Sequence, residues 1–105
     1  MAACLAALIA VPDRRTGLTL ARGLVRRRLA ACVNLVPGVR SVYRWKGRIE
    51  EASELLLVAK TRSSRLKELT AFVRRNHPYS LPEIAALPVQ GGSRDYLRWV
   101  KDSTS

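Results

Sequence analysis

Between Arg48 and Thr61 the chain carries the run Leu55-Leu56-Leu57-Val58-Ala59. In a strand, successive side chains point to opposite faces. A run that is apolar at every position therefore asks for burial on both faces, where a half-covered strand would alternate. Any fold built around this segment must cover two surfaces. At 105 residues the chain is a single domain that buries a little over half of what its unfolded form exposes. Whether so short a chain can supply the second cover is the first question it raises.

Turn chemistry and periodicity divide the rest. Cys4 to Val11 is an apolar run closed by Pro12 and Asp13, as a buried strand is. From Thr16 to Leu29, Leu18, Ala21, Val25 and Leu29 recur at helical spacing, with Arg15, Arg22 and Arg26 on the other side. That pattern predicts an amphipathic helix with a basic outer face. Ala31 to Val36 predicts a strand broken by Pro37 and Gly38. Polarity then alternates from Val39 to Trp45, and Lys46-Gly47 supplies a hairpin turn into the strand Arg48 to Thr61. Ser63 and Ser64 offer capping hydroxyls to a helix that carries Leu66, Leu69 and Val73 on one stripe and ends at His77 before Pro78. Glu83 to Val89 reads as a strand, Gly91-Gly92 as a turn, and Ser93 as the cap of a last helix bearing Tyr96, Leu97 and Val100.

The order β-α-β-β-α-β with an added C-terminal helix predicts an α+β domain of the ferredoxin-like arrangement, in which one antiparallel sheet packs two helices on one side. The other side is left bare. Because the central strand asks for cover on both faces, self-association follows as a physical expectation.

Composition limits the function. No apolar run approaches the roughly 20 residues that span a bilayer, so a soluble protein with no membrane partner is expected. The stretch Ala2 to Val11 has the apolarity of a short signal segment, but no Lys or Arg precedes it, and it reads better as the first strand. Two cysteines, Cys4 and Cys32, are too few for a disulfide scaffold and fit a cytoplasmic location. The net charge of +11, from 19 Lys and Arg against 8 Asp and Glu, attracts anions and disfavours a high-affinity store of cations.

Few residues announce chemistry. His77 is the only histidine; an imidazole there serves equally as a metal ligand or as a cap on the last carbonyls of its helix. There is no HExxH, no CxxC and no phosphate loop of the GxxxxGKS type. No nucleophile and base stand in a recognisable pattern, and no enzyme is expected. Nor is the aromatic signature of an RNA-recognition sheet present, so no specific nucleic acid is expected. Arg22, Arg26, Arg27 and Arg28 allow nonspecific association with polyanions, but a charged stripe on a helix ordinarily faces water.

Two distant stretches, LAACVNLVPG at 29–38 and HPYSLPEIAALPV at 77–89, with SVYRWKG at 41–47, ELLLVAKT at 54–61 and DYLRWV at 95–100 between and after them, resemble the CutA divalent-cation tolerance family. The likeness runs from about Leu8 to Val100. It implies a homotrimer whose sheets face a shared centre and whose long hairpin reaches a neighbour, with copper the ion most often associated with the family. It implies weak metal coordination by His77 with Cys32 or Glu83. Copper-binding relatives often add a histidine just before His77 and a cysteine in the first strand, where this chain has Asn76 and Ile9. Neither replaces an imidazole or a thiolate as a copper ligand. The family's clefts between subunits correspond here to Tyr43, Trp45, Lys60, Tyr79 and Glu83, a set with aromatic walls, a cation and a carboxylate that suits a polar ligand. Interface packing is the main role expected of Tyr43 and Trp45. A rival expectation is a trimer similar to the PII regulators, taking a small anionic ligand or a protein partner in those clefts.

Overall fold

The computed structural model describes residues 3–105. Its elements are β1 (Cys4–Val11), α1 (Arg14–Arg26), β2 (Cys32–Trp45), β3 (Arg48–Arg62), a 3-10 turn (Ser63–Arg65), α2 (Leu66–Asn76), β4 (Ala85–Pro88) and α3 (Arg94–Ser103). The four strands form one antiparallel sheet in the order β2-β3-β1-β4. This is the expected β-α-β-β-α-β order followed by a third helix.

On one face of the sheet lie α1 and α2. Their core is built on Ile9, Leu20, Leu24, Leu57, Leu69 and Val73, all fully buried. Two glycines on α1 set how closely the layers approach. A Cβ at Gly17 would sit 3.2 Å from Val11 and 3.4 Å from Leu57, and one at Gly23 only 2.5 Å from the Phe72 ring of α2. The inward stripe of α1 is accordingly Gly17, Leu20, Ala21 and Leu24; of the predicted Leu18, Ala21, Val25 and Leu29, Ala21 lies on it, Leu29 is buried just past the helix end, and Leu18 is only half-buried. Val25 is 44% exposed. Periodicity located the helix but missed its rotation, because the small residues that allow close packing carry no hydrophobic signal.

The first helix also stops at Arg26 rather than Leu29. Arg28 takes the left-handed backbone at φ 60°, its N–H bonds Val25 O at 3.0 Å, and Leu29 N–H bonds Leu24 O at 2.9 Å. This is the Schellman ending, usually made by glycine. Arg28 supports it by reaching α3, where Nη2 donates to Asp102 O at 2.7 Å and Nε to Ser105 O at 3.2 Å. Arg62 and Arg65 donate to Lys101 O and Thr104 O at the same helix end. Three cations thus hold the carbonyls at and just past the end of α3.

Pro37 and Gly38 do not break a strand in two. They form a bulge in one long β2: Val36 lies opposite Leu56, Val39 opposite Glu54, so two residues face Leu55 alone. Proline lacks the N–H a ladder needs, and Gly38 at φ 73° takes a backbone few residues accept. Beyond the bulge the hairpin runs on to Trp45, turns through Lys46 (φ 50°) and Gly47 (φ 79°) in a type I′ turn, and gives the molecule a 43 Å long axis. Val42, Tyr43 and Ile49 on this arm are exposed.

Ser63 and Ser64 do not cap α2, which begins at Leu66 without a side-chain cap. Ser63 bonds the start of β1 instead, its N–H donating to Ala3 O at 2.8 Å and its Oγ accepting from Ala3 N–H at 3.2 Å. Ser93 does cap α3, accepting from Tyr96 N–H. The last strand is shorter than the predicted Glu83 to Val89.

The second face of the sheet is covered only in part. Val100 and Leu97 of α3 pack on Cys4, Ala31 and Val89 at one end. Beyond that end Leu56 and Val58 remain half-buried, and Val36 and Leu87 are 42% and 52% exposed.

Candidate functional site

Where α2 ends, the chain turns back against the far end of β1 and the bulge in β2 and β3. His77 is the C-cap, its backbone N–H bonding Val73 O at 2.8 Å. The residue is only 8% exposed. Nδ1 accepts the N–H of Tyr79 at 3.1 Å, which puts the ring proton on Nε2, where it donates to Ala10 O at 2.8 Å. The ring therefore ties the exit of α2 to β1, and both nitrogens are engaged.

Tyr79 continues the chain of bonds. Its ring lies 4.7 Å from the His77 ring, and its hydroxyl donates to Glu54 Oε2 at 2.9 Å. Burial first, then this bond to Glu54, pushes the phenol up to about 12; Tyr43 and Asp13 lie close enough to add to the effect. Glu54 itself is 8% exposed, a carboxylate taken out of water beside the bulge. Sequence reading missed it. Its one signal is position: an acid at the start of a run that is otherwise apolar on both faces.

The other predicted residues lie elsewhere. Cys32 starts β2, opposite Lys60, and its Sγ is 3.3 Å from the hydroxyl of Tyr96 on α3. That bond, then burial, pushes the Tyr96 phenol up to about 12. Lys60 Nζ donates to Asn34 Oδ1. Glu83 is exposed ahead of β4, and Trp45 is at the hairpin tip, 39% exposed. Of the cleft set, the chain brings together Tyr43 and Tyr79; Trp45 lies on the arm, Lys60 on the sheet and Glu83 in the segment ahead of β4.

The expected metal set is not assembled within this chain among the described residues. Among the described residues no three of His, Cys, Asp and Glu gather where they could hold an ion. His77 and Cys32 are held at different ends of the sheet, one against Ala10 and the other beside Tyr96. A metal on His77 would have to displace the Tyr79 N–H from Nδ1 or remove the proton bound for Ala10. These residues do not fit a strong metal site inside one chain.

A four-stranded antiparallel sheet with helices on one face, one end of the other capped by a third helix, and a long projecting hairpin defines a small α+β protein with an open, partly apolar sheet surface. Residues 5–103 match the family described as CutA1 divalent ion tolerance protein, and the chain belongs to that family. It is 52% identical over 96 residues to Protein CutA, chloroplastic, of Arabidopsis thaliana, covering 91% of this chain and 53% of that protein. It is 48% identical over 97 residues to the divalent-cation tolerance protein CutA of Thermus thermophilus, covering 92% of this chain and 94% of that one. The chain thus spans about half the length of the plant relative and nearly all of the bacterial one. The solved structure of the divalent cation tolerance protein from Thermus thermophilus superposes with a TM-score of 0.95 at 46% identity, over 97% of this chain and 99% of that one.

Proposed function

We propose that this chain acts in divalent-cation tolerance as a homotrimer, and that its working site is the cleft formed where the open sheet face and the hairpin arm of one subunit meet the next. The open face carries the reading: Leu56, Val58, Val36 and Leu87 form an apolar surface that α3 leaves uncovered, and the arm adds Val42 and Ile49, 63% and 62% exposed. Apolar surface of this extent on a small domain is ordinarily covered by a partner. A closed three-fold assembly of copies also removes the exposed edges.

The role is binding rather than catalysis. Tyr79 and Tyr96, both pushed up to about 12, stay neutral at physiological pH rather than acting as bases, and Tyr79 donates to Glu54. The cation, copper included, acts on the assembly weakly, at residues that subunits bring together, since the described residues of one chain offer no closed ligand set. Cys4 and Cys32 as free thiols support work in a reducing compartment such as the cytoplasm.

The test is light scattering of the purified protein, followed by calorimetric titration with Cu(II) and Zn(II) of the native chain and of His77→Ala. A trimer mass with weak saturable heat in the native protein is expected. A monomer mass overturns the assembly, and silence toward both ions overturns a direct role for the metal.

A further inference from the structure

On the side of the molecule away from the open sheet face, the N-terminal turns of α1 and the C-terminal turn of α2 flank an open surface pocket of about 370 Å³, lined by Arg15, Thr16, Thr19, Arg75, Asn76 and His77 with Pro78. Its size lies at the lower end of the range for small-molecule sites, roughly 300–1,000 Å³. The chemistry of its wall is one-sided. Arg15 and Arg75 line it, and among the described residues no acidic residue does. Neither arginine takes part in an ion pair among the described residues, where the pairs are Arg40–Glu51 and Arg65–Glu68.

The acid closest to Arg15 along the chain is already committed. Asp13 accepts the Thr16 N–H at 2.8 Å, and that bond, with the Thr16 hydroxyl and Arg15, holds its carboxyl below the usual range. His77 turns its ring toward Ala10 and Tyr79, and Asn76 donates its amide to Phe72 O at 2.8 Å. What remains without a hydrogen-bond partner among the described residues is the Arg15 and Arg75 guanidiniums, Arg15 with Asp13 in its field, and the Thr19 hydroxyl, each able to donate to a ligand. A neighbouring pocket shares Arg75 but includes Glu68, whose carboxylate holds Arg65 at 2.9 Å; it suits an anion less.

We infer that the α1–α2 pocket is a binding site for a small, soluble phosphate-bearing anion, gripped by the Arg15 and Arg75 guanidiniums with the Thr19 hydroxyl as third donor. Paired guanidiniums match phosphate oxygens in a planar, two-point fashion that an ammonium does not reproduce. The net charge of +11 raises the local concentration of such anions. The site is complete in one subunit and lies outside the intersubunit cleft, so it stands or falls independently of the proposed function.

The experiment is a ¹⁵N NMR titration of the intact protein with inorganic phosphate and with pyrophosphate at constant ionic strength, following the amides of Thr16, Thr19 and Asn76. Saturable shifts at these amides are expected. Arg15→Ala with Arg75→Ala should weaken binding by about tenfold or more, and Arg75→Lys by a few-fold, because the charge stays and the fork is lost. Arg94→Ala with Arg98→Ala removes the same charge from exposed positions on α3 and should change affinity by less than about twofold. Equal weakening in both double variants, or shifts that never saturate, would mean general attraction to a basic protein and would overturn the site.

Discussion

Leu56 and Leu57 are neighbours on β3 with the same side chain, yet Leu57 is fully enclosed beneath the helices while Leu56 is half-open on the other face. The same contrast separates Ala59 from Val58. The two faces of one strand are equally apolar, and a single subunit satisfies only one. Apolar character thus records the burial a position needs, not the burial one copy provides. On the second face α3 covers one end, and the assembly proposed above would cover the rest.

The sharpest way to break this contrast is to truncate both leucines. Leu57→Ala should lower unfolding stability by about 3 kcal/mol, as a cavity in a closed core does, at any protein concentration. Leu56→Ala should cost less at high concentration, and its cost should grow on dilution as subunits part. Denaturant unfolding at two concentrations reads both. If Leu56→Ala behaves as an ordinary surface change at every concentration, nothing covers that face.

A second test sits where the open face meets the α2 exit. Tyr79 is raised in the fold from 10.0 to about 12, so the folded state holds its proton where the unfolded state releases it. Its contribution is complete below pH 10 and is lost as pH rises through about 12. The thermal midpoint should fall across that window, and Tyr79→Phe should shrink the part of the fall that belongs to this residue; Tyr96, also raised to about 12, supplies another part. At neutral pH Tyr79→Phe should itself cost about 1–3 kcal/mol, because it leaves the buried Glu54 without its donor. A neutral-pH stability unchanged by the substitution would mean that solvent reaches Glu54.

The smallest effect belongs to the arm. Lys46 holds φ 50° in a turn that favours Asn at its first central position. Lys46→Asn should gain about 0.5 kcal/mol, since Asn takes this backbone at less cost. Thermal melts would detect the gain. A loss instead would show that the aliphatic stem of Lys46 contributes packing over Trp45, whose ring lies 5.8 Å from Nζ.

How much was legible depends on whether the information was local. The Lys46-Gly47 turn, the Ser93 cap and β1 follow from a few adjacent residues, and the structure has them. The rotation of α1 did not follow, because Gly17 and Gly23 matter through Leu57 and Phe72 on other elements. Ser63 has the chemistry of a cap, and only the position of Ala3 explains why it bonds β1 instead. At the site, His77 stood out as the sole imidazole, but its bonds to Ala10 and Tyr79 depend on where β1 ends. Glu54 escaped notice because an acid beside an apolar run carries no motif. Arg28, grouped with a solvated basic face, proved to be anchored on the carbonyls of α3.

By itself the sequence determined the order of elements, the family, and the demand that β3 be covered twice, because strand periodicity and turn preference are properties of neighbouring residues. Only the tertiary structure decided that His77 is tied at both nitrogens, that Cys32 pairs with Tyr96, and that Arg15 and Arg75 line one open pocket. Each of those outcomes joins residues far apart in the chain, and a polar group's chemistry depends on which partner satisfies it.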